Sequence, residues 1–293
     1  MSNIQIALLG GFLAMVGYGV SDFLAKKAID KIGNLKVLFY TQLIGAVFML
    51  LYFIGDRTIP VFDLKNIISV VTFGFFNAVG YLSLYKSFEM GKLSIVSPIS
   101  SSSAILAAVI SFLFFGETFS TLKILSLLLV LSGIVLAAID PKGLKNGFGK
   151  KDLSKGVPEA LMVFLIFGIY VPFWDKFLNN PGWIVWVILV RLVLAFFLIF
   201  YQKSILKKEL SLKLNKIIYL LIVVAIFEAA GSFGSSWGLH ASVNTTSIVA
   251  AVTSTYPLIT AILAFIFLKE RLMASQYVGI GFIITGLLIS PFV

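Results

Sequence analysis

Ten apolar stretches, each about as long as a membrane-spanning helix, fill most of this 293-residue chain. A helix needs roughly 20 apolar residues to cross the hydrocarbon core of a bilayer. We number the stretches as spans 1 to 10, and they cover residues 4–23, 35–54, 67–88, 93–115, 122–139, 157–174, 183–201, 217–239, 243–268 and 273–292. The connections are too short for a water-soluble domain. The sequence therefore predicts an all-α integral membrane protein with ten transmembrane helices, located in the cell membrane.

The composition excludes several classes of protein. Hydrophobic residues make up 59% of the chain and charged residues 12%, whereas soluble domains carry about 25% charged residues. A soluble enzyme, a nucleic-acid-binding domain and a disordered chain are therefore excluded. With no Cys and one His, the chain also lacks the residues for disulfides, thiolate sites and multi-His metal sites.

These exclusions define the partners that we expect. They are a small-molecule substrate and the lipid bilayer, without a nucleic acid, a cofactor or a metal. The sequence does not define an oligomeric state, and a monomer is compatible with it.

The basic residues are distributed unevenly between the two sides of the predicted bundle. The connections on the side of the long 140–156 linker hold 18 of the Lys and Arg residues, and those on the opposite side hold 4. Because positively charged loops stay in the cytoplasm, we expect the linker to be cytoplasmic and both termini to be outside.

The chain also contains an internal repeat. Residues 76–80 (FNAVG) align with 227–231 (FEAAG) at an offset of 151 residues. At an offset of 153, residues 112–117 align with 265–270, and Gly133 aligns with Gly286. Since each copy holds five spans, an odd number, the second copy must enter the membrane inverted. Inverted repeats are common in secondary transporters, whose substrate sites lie near the midplane between the repeats. We therefore divide the chain into a first repeat (1–139), a basic linker (140–156) and a second repeat (157–293).

Spans 4 and 9 each carry a stripe of small residues at helical spacing. The stripes consist of Ser94, Ser97, Ser101, Ala104, Ala108 and Ser111 in span 4, and of Ser247, Ala250, Ser254, Pro257, Ala261 and Ala264 in span 9. Small residues mark close helix contacts in membranes. Tight packing of the two spans is one interpretation, and a polar cavity lined by Ser97, Ser101 and Ser254 is the other.

The strongest candidate for a functional residue is Glu228, at the centre of span 8 beside Ser232. A carboxylate in hydrocarbon costs at least ~2.5 kcal/mol, so it must face the protein interior. Asn77 occupies the matching position in span 3, with Tyr81 on its helical face. Arg191, inside span 7, is expected either to pair with Glu228 or to meet a substrate carboxylate.

Other candidates lie nearer the ends of the spans. Asp22 and Lys26 are interpreted as a salt bridge or a gate at the end of span 1. Glu117 and Glu270 are interpreted as structural anchors of the turns into spans 5 and 10. Tyr170, Trp174 and Trp183 lie near one interface and are interpreted as a membrane belt. The alternative is that Tyr170 and Trp174 form cavity walls together with Tyr18 and Tyr85, and Tyr18 and Trp174 are retained as substrate-binding candidates.

The order of these elements resembles the EamA-type branch of the drug/metabolite transporter (DMT) superfamily. The resemblance rests on Gly17–Phe23 (GYGVSDF) with Lys26, on Gly116–Glu117, and on Tyr256–Pro257 before Lys269–Arg271 (KER). It also rests on the glycines of the repeat, Gly133 and Gly286. It implies a ten-helix exporter or exchanger with a cavity lined mostly by spans 1, 3, 4, 6, 8 and 9.

The sequence departs from that family's relatives in two places. The Pro positions of the two repeats differ, because Pro98 precedes Glu117 by 19 residues and Pro257 precedes Glu270 by 13. Span 1 lacks a mid-span acid like that of the small multidrug relatives, which argues against simple proton-for-cation exchange through that span.

Taken together, these features predict a secondary active transporter of an amino-acid-like or other small polar or amphipathic metabolite. It would work by alternating access around a midplane cavity. The alternative is a membrane enzyme acting on lipid or a lipid-linked substrate, suggested by 234–238 (GSSWG), a G-x-S-x-G match with His240 nearby. That motif needs a strand–turn–helix elbow, which a membrane helix does not provide. A channel is disfavoured because no charge ring or carbonyl filter is visible.

Overall fold

The computed structural model of the chain describes residues 3–115, 121–138, 154–178, 181–206, 216–241, 249 and 252–289. Within these ranges the chain consists of helices and short connections, without a strand. The helices are α1 (Asn3–Ile32), α2 (Asn34–Asp56), α3 (Leu64–Met90), α4 (Leu93–Ser101), α5 (Ser103–Phe115), α6 (Thr121–Ala138), α7 (Val157–Leu178), α8 (Trp183–Phe200), α9 (Ile217–Ala241), α10 (Tyr256–Phe267) and α11 (Ala274–Ile289). A π-helical turn, Tyr201–Leu206, extends α8.

Seven segments are long and apolar enough to cross a membrane: α1, α2, α3, α4 together with α5, α7, α8 and α9. Helices α6, α10 and α11 are apolar but shorter. Large apolar side chains such as Leu113, Phe196 and Ile266 remain more than half exposed, as expected for side chains that face lipid. The prediction of an all-α membrane protein is thus confirmed. Part of span 9 and the linker lie outside the described residues, and the count of ten spans stays a prediction.

Helix α1 is longer than span 1, from which it was predicted. It continues to Ile32, nine residues beyond the last residue of the apolar stretch. In this last third, Lys26 and Asp30 form an i,i+4 salt bridge of 2.9 Å, and Ala25, Ala28 and Ile29 are buried in the core. Asp22 therefore lies ten residues before the end of α1, or about 15 Å along its axis. The placement of Asp22 at the end of the helix was wrong.

Span 4 is divided into two helices at Ser102. The carbonyl of Pro98 accepts hydrogen bonds from the hydroxyls of Ser101 and Ser102, at 2.9 and 2.8 Å, and from the Ser102 backbone N–H. Serine hydroxyls that bond to nearby carbonyls interrupt or bend a helix. As a result the small-residue stripe is not one continuous buried face, because Ser97 is buried in α4 whereas Ala104 in α5 is exposed.

The second stripe can be followed only in part. Pro257 and Ala264 are buried in α10, and Ser254 just before it is also buried. Ser247 and Ala250 lie outside the described residues. Helices α4 and α10 contact each other, so tight packing of the two spans holds for these portions.

Most helix pairs in contact join the first half of the chain to the second. The largest contacts are α1 with α9, α6 with α11, α5 with α7, α3 with α7 and α3 with α8. Helix α2 contacts both α8 and α9, and α1 also contacts α10. The core therefore forms between the halves, and neither half packs as a separate bundle.

Glycines bring two of these pairs into backbone contact. A Cβ atom added to Gly17 in α1 would lie 2.5 Å from the Gly231 nitrogen of α9, and one added to Gly10 would lie 2.6 Å from the Gly234 carbonyl oxygen. In the α6–α11 pair, a Cβ on Gly133 would lie 2.6 Å from the Gly279 carbonyl oxygen. Only glycine permits this approach, which is how membrane helices gain packing energy without a hydrophobic driving force.

Candidate functional site

A polar cavity lies between helices of the two halves, with an empty volume of about 320 Å³ including its open mouth. We call it the central cavity. It is lined by Gln42 of α2, Asn77 and Tyr81 of α3, Tyr170 and Trp174 of α7, Val187, Val190 and Arg191 of α8, and Glu228 and Ser232 of α9. The lining helices correspond to spans 2, 3, 6, 7 and 8. The expected contributions from spans 1, 4 and 9 are not found among the described lining residues.

A buried ion pair forms one wall of the central cavity. Arg191 Nη1 donates to Glu228 Oε2 at 2.6 Å, and Nη2 donates to Oε1 at 3.1 Å. The two residues are 4% and 3% exposed. Arg191 was expected either to pair with Glu228 or to meet a substrate carboxylate, and the structure shows the pair with Glu228. The bidentate geometry matches the planar guanidinium to both carboxylate oxygens, the strongest form of such a pair.

Neighbouring groups complete the hydrogen bonding of this pair. The Tyr81 hydroxyl donates to Glu228 Oε1 at 3.0 Å, and Arg191 Nη1 also donates to Gln42 Oε1 at 3.0 Å. Gly45 of α2 makes room for the guanidinium, because a Cβ there would lie 2.8 Å from Nη1. The pair thus joins α8 and α9 of the second half to α2 and α3 of the first.

Gln42 was not predicted as a site residue. It is 1% exposed, and its amide nitrogen has no hydrogen-bond partner in the described structure. A buried donor without an acceptor costs free energy unless a solute or a water molecule accepts from it. The signal that could have revealed it was an amide side chain inside the apolar span 2.

Two aromatic side chains of α7 also line the cavity. The rings of Tyr170 and Trp174 on α7 are stacked with centroids 5.9 Å apart, and Phe73 of α3 contacts both rings edge-on. The Asn77 amide donates to the Tyr170 hydroxyl at 3.4 Å. Tyr170 and Trp174 both line the cavity, in agreement with their interpretation as cavity walls.

Six of the predicted site residues, Lys26 among them, are not among the residues that line the central cavity. Tyr18 of α1 packs against α9, where its hydroxyl lies 3.4 Å from that of Ser235 and its side chain also interacts with Ser232. The Ser101 hydroxyl donates to the Pro98 carbonyl, and the Ser254 hydroxyl donates to that of Leu287. Asp22 and Ser97 bond to each other, and they form a second polar group between α1 and α4.

The expected salt bridge between Asp22 and Lys26 is replaced by other contacts. Lys26 pairs with Asp30, and Asp22 accepts a hydrogen bond of 3.2 Å from the Ser97 hydroxyl. On an α-helix, Lys26 is an i,i+4 neighbour of both acids, and the structure pairs it with the more exposed of the two.

Glu270 caps a helix of the other half of the chain. Its carboxylate accepts hydrogen bonds from the Leu93 and Ser94 backbone N–H groups at 2.8 and 3.0 Å, and from the Ser94 hydroxyl. These donors are the free N–H groups of the first turn of α4. The role is structural, as expected, but Glu270 acts on α4 and not on the turn into span 10. Glu117 lies outside the described residues.

The G-x-S-x-G match lies inside the continuous helix α9. Ser236 is buried there, and Gly234 and Gly238 face the backbone of α1. The nucleophile elbow of a hydrolase requires a sharp turn between a strand and a helix. Residues 234–238 instead form part of a helix-packing surface.

Comparison with known proteins identifies the family. The model of the EamA-like transporter family matches residues 5–139 and, a second time, residues 154–291. The chain belongs to the EamA-like transporter family. It is therefore a membrane transporter and a multi-pass integral membrane protein. This EamA-family membership favours a transporter over the membrane enzyme.

Two archaeal proteins are similar to this EamA-family chain. One is an uncharacterized transporter of Archaeoglobus fulgidus, 25% identical over 290 residues, which cover 97% of this chain and 98% of that protein. The other is an uncharacterized protein of Methanocaldococcus jannaschii, 29% identical over 136 residues, which cover 46% of this chain and 98% of that protein.

A solved crystal structure shares the fold. It superposes with a TM-score of 0.68 at 14% sequence identity, and the match covers 98% of this chain and 96% of that one. At this identity the likeness concerns the fold alone.

Proposed function

We propose that this transporter is a secondary active carrier that moves a small solute by alternating access around the central cavity. The observation that carries the proposal is the position of that cavity between helices of the two halves, with a buried ion pair in its wall. Solutes of secondary transporters bind at such an interface, and the two repeats rock around the bound solute. Because the sequence contains no phosphate-binding loop, we assign the energy to an ion or solute gradient.

The pattern of helix contacts supports two inverted repeats of five spans. A twofold relation between the repeats exchanges span 1 with span 6 and span 3 with span 8. It therefore matches the α1–α9 contact with the α7–α3 contact, and the α2–α9 contact with the α8–α3 contact. Each of these contacts occurs, which is what inverted repeats require.

The α6–α11 interface supports the same relation in atomic detail. At the offset of 153, Ser126 and Gly133 correspond to Gly279 and Gly286. Gly133 approaches the carbonyl of Gly279, and the matching approach of Gly286 to the carbonyl of Ser126 is also present. The double family match and the similar protein of about half the length agree with a repeat unit of this size.

The chemistry of the cavity supports a small polar or amphipathic solute. Asn77, Ser232 and the free amide of Gln42 offer neutral hydrogen bonds, while Tyr170 and Trp174 offer an apolar ring surface. The charges of Arg191 and Glu228 cancel, and Gln42 and Tyr81 hydrogen-bond to the pair. The pair therefore contributes a local dipole without a net charge. We therefore propose Glu228, Asn77, Tyr81, Arg191, Ser232 and Trp174 as the solute site, in an exporter or exchanger of a metabolite.

Two steps test this proposal. A thermal-shift screen of the purified protein against amino acids, sugars, nucleosides and quaternary amines identifies a ligand, because ligand binding raises stability by RT ln(1 + [L]/Kd). Counterflow of that ligand into liposomes then measures exchange. Ser232→Leu, which fills the cavity, should fold and lose exchange, whereas Ser132→Leu on the exposed face of α6 should retain it. Equal exchange by the two variants would contradict the assignment of the cavity, and lipid hydrolysis without exchange would favour the enzyme.

A further inference from the structure

Asp22 is an acidic residue of the membrane-spanning helix α1, and it is not part of the proposed solute site. It lies on α1 outside the central cavity and is partly exposed. Its Oδ2 accepts a hydrogen bond of 3.2 Å from the buried Ser97 hydroxyl of α4. This is the hydrogen bond that the structure gives its carboxylate.

The basic side chains near Asp22 contact other groups. Lys26, one turn away, bonds to Asp30, and Lys27 lies over the Phe23 ring with its nitrogen 4.5 Å from the centroid. Arg191 is held by Glu228. Among the described residues, Asp22 is therefore an acid without a cationic partner.

The other titratable groups that act on Asp22 are acids or phenols. They are Tyr85 of α3, Glu228 of α9 and Tyr256 of α10, whose side chain also interacts with Ser97 and Ser101. An isolated carboxylate costs several kcal/mol within the membrane, and a bound proton removes that cost. A metal ion would need several further oxygen ligands, and the described residues contain no cluster of acidic or His side chains to supply them.

We propose that Asp22 is a proton-binding site, separate from the central cavity, which takes up and releases the proton whose gradient drives transport. The proposal reverses the expectation from the sequence that span 1 has no acid suited to proton exchange, because α1 continues ten residues beyond Asp22. One proton from water converts the carboxylate to the neutral acid, and the same proton returns to water on the other side when the halves rock. Ser97 stabilises the ionised form by donating to it. The coupling role rests on the proposed function, but the binding of the proton does not.

The test is infrared difference spectroscopy of the full chain in liposomes as the pH is lowered. A protonated carboxyl group has its own carbonyl stretch, which an ionised one lacks. We expect this signal from the parent protein and from Glu89→Gln, a control at an exposed carboxylate that leaves the Lys26–Asp30 pair intact, and we expect its loss in Asp22→Asn. In Ser97→Ala the signal should appear at higher pH, because the carboxylate has lost its donor.

An unchanged spectrum in Asp22→Asn would overturn the proposal. Loss of the signal on adding Na⁺ at constant pH would also overturn it, because it would show that Asp22 binds a cation. Should Asp22→Asn fail to fold, an unshifted midpoint in Ser97→Ala would overturn it. Because the measurement uses no solute, it is independent of the counterflow assay. Proton binding without any exchange would contradict the proposed function alone.

Discussion

The α1–α9 and α3–α7 interfaces occupy matched places in the proposed repeat, yet they are built in different ways. Helices α1 and α9 touch through backbone atoms, since Gly17 faces Gly231 and Gly10 faces Gly234. Helices α3 and α7 touch through rings, with Gly80 against Phe167, and Phe73 against Trp174.

This difference explains where the cavity lies. Backbone contact packs α1 tightly against α9, and the cavity lies instead beside α3 and α7, where α8 and α9 border it. The repeat thus sets which helices are neighbours, and the side chains set which interface has room for a solute.

The largest expected effect comes from Glu228 of α9, which accepts a hydrogen bond from Tyr81 of α3 and pairs with Arg191 of α8. Glu228→Gln leaves the Arg191 charge buried and unmatched, so it should destabilise the fold by about 3–5 kcal/mol, measured by thermal unfolding in detergent. Glu89→Gln, at the exposed Lys86–Glu89 pair, is the matched control and should change stability by less than about 1 kcal/mol.

A double variant separates stability from function. Replacing both Arg191 and Glu228 by Met removes the unmatched charge and should restore most of the stability without exchange activity. Parental stability of Glu228→Gln alone would show that the buried pair does not stabilise the fold.

A smaller effect distinguishes the interfaces directly. In Gly17→Ala the new methyl group meets the backbone of α9 at 2.5 Å, so the helices must move apart, at a cost of about 1–3 kcal/mol. In Gly80→Ala the methyl meets the edge of the Phe167 ring, which can turn away, and we expect a smaller loss. Gly281→Ala, whose added Cβ meets no atom within 4 Å, is the control. Equal losses for Gly17→Ala and Gly80→Ala in unfolding experiments would remove the contrast between the interfaces.

The sequence predicted much of this organisation because its strongest signals are local. The length of the apolar stretches indicated the spans, and an acid and a cation inside two of those stretches predicted the Arg191–Glu228 alternative. The FNAVG and FEAAG segments aligned Asn77 with Glu228, and the structure brings both residues to one cavity.

Other features depend on tertiary contacts that a hydropathy pattern does not contain. The extension of α1 past the apolar stretch depends on the Lys26–Asp30 pair and on packing, so the depth of Asp22 was misjudged. The break at Ser102 had a local signal, a proline followed closely by four serines, which was interpreted only as a small-residue stripe. The Gln42 side of span 2 faces the protein interior because α2 packs against α8, a tertiary contact that the sequence pattern does not contain.

The most direct test of the central claim uses the absence of native cysteine. Ser232→Cys places a single thiol in the wall of the central cavity, and Ser126→Cys places one in the fully buried α6–α11 interface. We predict that a water-soluble maleimide labels the protein at position 232, that the ligand found by thermal shift slows this labelling, and that position 126 stays unlabelled. An unreactive thiol at position 232, or labelling there at the same rate with and without the ligand, would contradict the claim that this cavity binds the transported solute.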